Sequence, residues 1–218
     1  LFLSRFCLSA LFISGLVGCG SQLPEATYTS TGLIADQGAI RIWRKDYGRQ
    51  PSIILSVYSP YNGTSAVIGR YEYLDGKLSQ VNEVRMDELR TKVQLRFDAD
   101  NHVSYMQRQQ GAVKTSLTED DISRYHYESQ QLVELSGALN VGRITLVQGK
   151  WQDGRVTTCE GKHVSLPIDA ETFARATNKI SHPNEPFNVA WLEGPEGTQL
   201  LLATNEAVCQ WSIDKPLS

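Results

Sequence analysis

No apolar run in this sequence reaches the roughly 20 residues that a membrane-spanning helix needs. The apolar stretch at 6–18, "FCLSALFISGLVG", falls short, and no later segment is long and apolar enough. Histidine is scarce: His102, His126, His163 and His182 are the only four. None stands in HExxH or another two-ligand helical spacing, so the usual zinc-hydrolase signature is missing. No GxSxG elbow surrounds a serine, and no P-loop or dinucleotide fingerprint occurs. Basic residues number 21 against 24 acidic ones, and the net charge of −3 gives no overall basic field for nucleic acid. The four cysteines include no CxxC pair, which argues against a thiolate metal site. Cofactor, metal and catalytic residue are therefore all without a sequence signal. An enzyme whose site assembles from distant residues remains compatible with that.

What is present begins at the N-terminus. Arg5 is the one charge among residues 1–18. A basic start, a short apolar stretch and small residues at its end describe a secretory leader. Leu16-Val17-Gly18-Cys19 resembles the lipobox of bacterial lipoproteins. The resemblance implies a diacylglyceryl thioether on Cys19, cleavage between Gly18 and Cys19, and acylation of the new amino group. One acyl chain anchors only marginally, whereas two or more hold firmly. Gly20 stands where an aspartate usually signals inner-membrane retention. The resemblance thus implies a protein lipid-anchored to the outer membrane on its periplasmic face.

Removing residues 1–18 leaves about 200 residues, enough for one sizeable domain or two small ones. Cys7 leaves with the leader and Cys19 carries lipid, so Cys159 and Cys209 remain. In an oxidising envelope the two are expected to form a disulfide. Closing a loop of about 50 residues stabilises by about 4 kcal/mol in the chain-entropy model.

Residues 20–38 are polar and weakly periodic, which predicts that 19–38 form a lipidated tether ahead of a globular part at 39–218. Strand signals follow at 39–46, 52–59 and 67–84, the last carrying the hairpin dipeptide Asp75-Gly76 with Tyr73 opposite Leu78. In "TKVQLRFD" at 91–98, Val93, Leu95 and Phe97 alternate with Lys92, Gln94 and Arg96, as in a sheet with one wet face. Thr118 is a helix cap, with Glu119, Asp120 and Asp121 placing negative charge in the first turn. Gly137 is the expected stop of this helix. A second Asp-Gly hairpin spans 143–159, with Trp151 opposite Val156. A short helix capped by Asp169 covers 169–180, a hairpin covers 187–204, and "AVCQWSI" at 207–213 reads as a strand. The fold class is α+β: mainly antiparallel sheet, one long central helix and one short helix. Lobes at 39–117 and 140–215, joined by helix 118–138, are one division of the globular part.

The lipobox, the mature length, the Asp-Gly hairpins and the late cysteine pair together resemble a Gram-negative envelope lipoprotein family of unknown function. Among candidate functional residues, Arg41, Trp43 and Lys45 share one face of a strand. Cation and aromatic together suit an anionic envelope component or a protein partner. The same residues also suit a solvated edge strand that discourages aggregation. Trp151, Trp191 and Trp211 read as sheet packing. The resulting expectation is a non-enzymatic binding or envelope-maintenance module with an envelope protein or ligand as partner. The alternatives are a carrier with an apolar cavity in a curved sheet, and an envelope hydrolase.

Overall fold

The computed structural model describes residues 25–62, 65–178, 180 and 185–217. The expected leader, Gly18, Cys19 and His182 lie outside the described residues. Eight strands follow one another as an antiparallel meander: β1 (Ala26–Ala35), β2 (Gly38–Tyr47), β3 (Gln50–Pro60), β4 (Val67–Leu74), β5 (Lys77–Arg85), β6 (Lys92–Phe97), β7 (Val103–Gln110) and β8 (Val113–Thr115). Helix α1 (Glu119–Val141) comes next. A five-stranded sheet in the order β11-β10-β9-β12-β13 completes the fold. It contains β9 (Thr145–Gln152), β10 (Arg155–Thr158), β11 (His163–Val164), β12 (Phe187–Gly194) and β13 (Gly197–Thr204), with α2 (Ala170–Thr177) between β11 and β12. Every pairing in both sheets is antiparallel. The class is α+β.

The first sheet is buried on both faces over much of its width. On one face Ile42, Ile54, Tyr71, Val81 and Leu95 pack with Tyr125 and Leu132 of α1. On the other, Ala39 of β2 meets Leu146, Ala190 and Leu201 of the second sheet. Further along that face, Leu55, Val57 and Ile68 are covered by Ile213 and Trp211. Two-sided burial explains the continuous apolar run of β3, while the strict alternation of β6 marks where one face opens to water.

Where a tether through residue 38 is expected, β1 begins at Ala26 and pairs with β2 along its whole length. Thr27, Tyr28, Thr29 and Thr31 are β-branched or aromatic and suit a strand whose exposed side is polar. Their polarity, not a lack of structure, is what resembles a tether.

Both Asp-Gly hairpins form. Asp75 and Gly76 have φ of 49° and 76°, and Asp153 and Gly154 have φ of 50° and 82°. Two successive positive φ values define the tight turn that matches strand twist. Tyr73 faces Leu78, and Trp151 faces Val156. Three hairpins at one end of the large sheet share a further device. In β2–β3, β4–β5 and β6–β7 the register slips by one residue near the turn, leaving Ser52, Ser79 and Ser104 as the extra residue. Ser52 Oγ donates to the Lys45 carbonyl at 3.1 Å and Ser79 Oγ to the Glu72 carbonyl at 3.0 Å. Such bulges bend a strand and raise its twist.

Thr118 caps α1, and Asp121 returns the bond to the Thr118 N–H. These bonds hold the Asp121 carboxyl down at about 2. The helix does not stop at Gly137 but runs on to Val141, with Gly142 as its cap and Arg143 at φ 57°. A single internal glycine costs only about 1 kcal/mol, and Ala138 and Leu139 carry the helix past it. The serines on its buried face have a purpose. Arg44 of β2 slides beneath the helix and donates to Ser136 Oγ and to the Val133 carbonyl, each at 3.1 Å.

The strand expected at 207–213 is irregular backbone instead. Side chains take its carbonyls: Gln148 donates to Val208 at 3.0 Å, and Arg70 donates to Ile213. A ladder would need those same carbonyls. Cys209 is bonded to Cys159, with Cα atoms 5.3 Å apart across a separation of 50 residues. Changing both cysteines to serine should lower unfolding stability by about 4 kcal/mol. Urea denaturation of wild type and the double variant under non-reducing conditions measures it.

Candidate functional site

Arg41, Trp43 and Lys45 do lie on one side of β2, but that side faces the second sheet. Arg41 is only 2% exposed. Its Nη1 donates to Gln148 Oε1 at 3.0 Å and its Nη2 to Ser59 Oγ at 3.2 Å. Its Nε has no hydrogen-bond partner among the described residues. Burial lowers the guanidinium to about 10, partly offset by Glu206. Trp43 is half-buried and touches both cores on that side. Only Lys45 reaches the rim, where its ammonium lies 5.0 Å from the Tyr28 ring centroid and 5.8 Å from that of Tyr47. The three residues are therefore no exposed binding patch. The edge-strand alternative fails as well: β2 pairs with both β1 and β3 and is covered on both faces, which pattern alone does not reveal.

The remaining sequence candidates are dispersed. Asp121 is spent on the helix cap and on Arg108, at 2.7 Å. His126 packs against Phe97, with ring centroids 4.5 Å apart, and burial lowers its pKa. His102 is exposed beside Asp98 at 3.8 Å. His163 faces Thr157 across β10 and β11 at 3.1 Å, on the exposed side. Trp191 is buried, and Trp151 stacks at a tilt on Phe173 and Phe187.

A groove of about 370 Å³ opens between α1 and the first sheet. Its floor is β3, β4 and β5, and its wall is the side of α1 that carries Arg124, Glu128, Leu132 and Leu135. Gly69 of β4 sits directly opposite Glu83 of β5. A methyl group at Gly69 would come within 2.8 Å of the Tyr71 ring, so glycine there lets the ring lie across the strand. Tyr71 then donates to Glu128 at 3.2 Å, and Glu128 is paired with Arg124 at 2.7 Å. Glu83 is 6% exposed and is in no ion pair among the described residues. Burial raises its pKa, Arg124 opposes the shift, and Glu128 adds to it. Burial likewise raises Tyr71 and Tyr125, keeping both phenols protonated at neutral pH. The Tyr125 hydroxyl is wholly buried beside Glu83 and Arg124, and each of the two acts on it.

The groove thus offers mostly apolar walls and one buried carboxyl whose pKa is raised. Such a surface can hold an apolar body and accept a hydrogen bond from it. A second pocket, about 500 Å³, lies between α2 and β13. Its charged lining residues, Arg175 and Glu206, are exposed, so it has no desolvated recognition group of this kind. Sequence reading passed over Gly69 and Glu83. A glycine inside a strand pattern was the available signal for the first.

These features define an α+β protein of two antiparallel sheets, with a helix-walled groove on the larger one. The chain belongs to the family described as "Protein of unknown function (DUF1481)", which matches residues 30–214. It is 34% identical over 214 residues to "Uncharacterized protein YjaH" of Escherichia coli (strain K12), covering 96% of this chain and 92% of that one. No solved structure matches.

Two outcomes follow from this geometry. Arg41→Ala should cost about 3 kcal/mol, because it strands Gln148 and Ser59 in a dry interface; urea unfolding reads the loss. Glu83→Gln should behave in the opposite sense. A carboxyl whose folded pKa is raised weakens the fold as pH climbs from its ordinary 4.5 through the folded value. The variant should therefore be more stable than wild type at neutral pH, with the gain fading as pH falls toward 4.5. Unfolding curves across that pH range check the sign.

Proposed function

We propose that this chain is an envelope lipoprotein, moored to the outer membrane through acylated Cys19, whose folded body is a non-enzymatic binding module facing the periplasm. The ligand site is the groove beside α1. Its ligand is an apolar molecule bearing a hydrogen-bond donor that meets Glu83. The observation that supports binding is Glu83 itself: a carboxyl removed from water, lining a mostly apolar groove, with the Tyr125 hydroxyl beside it and no ion pair among the described residues. Burying such a group costs free energy unless something completes its hydrogen bonds. Leu16-Val17-Gly18-Cys19 supports the mooring. A fixed anchor raises the local concentration of the body near membrane-borne ligands.

Two measurements test the two halves. Radiolabelled palmitate should enter the wild-type protein in growing cells and not the Cys19→Ser variant. Purified protein should enhance the fluorescence of N-phenyl-1-naphthylamine, an apolar probe with one N–H donor, in a saturable way. Leu135→Trp, which fills the groove, should abolish that enhancement. Ala176→Trp, in the pocket beside α2, should leave it intact. Enhancement that survives Leu135→Trp, or that Ala176→Trp removes, would place binding elsewhere.

A further inference from the structure

The short reach between the proposed anchor and β1 constrains how the body sits on the membrane. Residues 20–25, six in number, separate Cys19 from β1. Fully extended they span about 20 Å. The ten residues of β1 rise about 34 Å. An inverted body, with the start of β1 uppermost, would need a tether longer than the chain has.

The end of the sheet where β1 starts is also formed by the β2–β3 turn and the β4–β5 turn, since the meander alternates direction at every strand. Ala26 pairs with Tyr47 there, and Gly76 lies against Gln50. Tyr28 (53%), Tyr47 (47%), Leu74 (67%), Val103 and Tyr105 are exposed at this end. The far end exposes Ile34, Leu89 and Val113, so the short reach from the anchor, not apolar exposure, selects between the two ends. Tyrosine favours the headgroup level of a bilayer. Arg49 and Lys77 are outnumbered by Asp75, Asp98 and Asp100, so this end has no basic patch through which anionic lipid would strengthen the contact. The groove lies toward the opposite end, where Tyr58 stands near the end of β3, Val67 opens β4 and Arg85 ends β5.

We propose that the end of the eight-stranded sheet formed by the start of β1 and the turns at 47–50 and 74–77 rests on the bilayer surface, with the groove turned away from it. This rests on the reading of Cys19 as the lipid anchor. The groove then takes its ligand from the periplasm and not from the leaflet in which the protein is anchored.

The test uses the lipidated full-length protein in phosphatidylcholine vesicles that carry a spin-labelled quenching lipid. A fluorophore is attached through Leu74→Cys in one variant and Glu88→Cys in another, Glu88 lying in the β5–β6 turn at the far end. Position 74 should be quenched several-fold more than position 88, and equally when a quarter of the lipid is replaced by phosphatidylglycerol. Equal quenching at both positions, or stronger quenching at 88, overturns the proposed orientation. Palmitate incorporation is measured on the same preparations. If it is absent, the anchor reading fails; if it is present without the difference between 74 and 88, the orientation alone fails.

Discussion

Arg41 sits between the two sheets with its guanidinium almost out of water, and most of the tertiary structure is arranged around that fact. Its two terminal nitrogens bind Gln148 of β9 and Ser59 of β3. Gln148 passes the connection on to the Val208 carbonyl, beside Cys209. One cation thereby joins the first sheet, the second sheet and the segment tied down by the disulfide. Its direct partners are neutral dipoles, and no carboxylate pairs with it among the described residues. Such an arrangement tolerates little displacement, because a buried charge that loses its dipoles has nothing to replace them.

The opposite face of the same sheet repeats the theme with a different outcome. Arg44, three residues on, points to the other side and anchors α1 through Ser136 and the Val133 carbonyl, while Asp46 takes its Nε at 2.7 Å. That arginine is fully engaged. Glu83, further across the face, has the Tyr125 hydroxyl and the Arg124 charge near it but is in no ion pair among the described residues. One face therefore uses its polar groups to join elements, and part of the other keeps a polar group without such engagement at the wall of a groove. The distinction separates a structural polar network from a candidate recognition site.

Local chemistry was legible in the sequence and global coverage was not. The Asp-Gly turns, the Thr118 cap, the alternation of Val93, Leu95 and Phe97, and the long helix all follow from neighbours within a few residues, and all are present. The Cys159–Cys209 bond was also foreseeable once two cysteines remained for pairing. Misreadings arose where distant parts of the chain decide. Arg41 looks like a surface residue until the second sheet arrives to cover it. Glu83 shows the subtlest case. Counting from the Asp75-Gly76 turn, Tyr73 pairs with Leu78, and unbroken alternation would turn Glu83 to the face away from α1. The extra residue Ser79 shifts the register, so Val81 and Glu83 point inward instead. A one-residue slip exchanges every side chain between faces. Nothing in the local composition announces it.

The cover over Leu55, Val57 and Ile68 has a consequence for how the chain is made. The strands bearing those residues are complete by Leu74, yet the side chains that shield them, Trp211 and Ile213, come from far downstream. A ribosome delivering the chain from its N-terminus releases a sheet with one naked oily side. That side stays hungry for contact throughout synthesis of α1 and the second sheet. Only when residues 211–213 have emerged can the chain close this surface with Trp211 and Ile213.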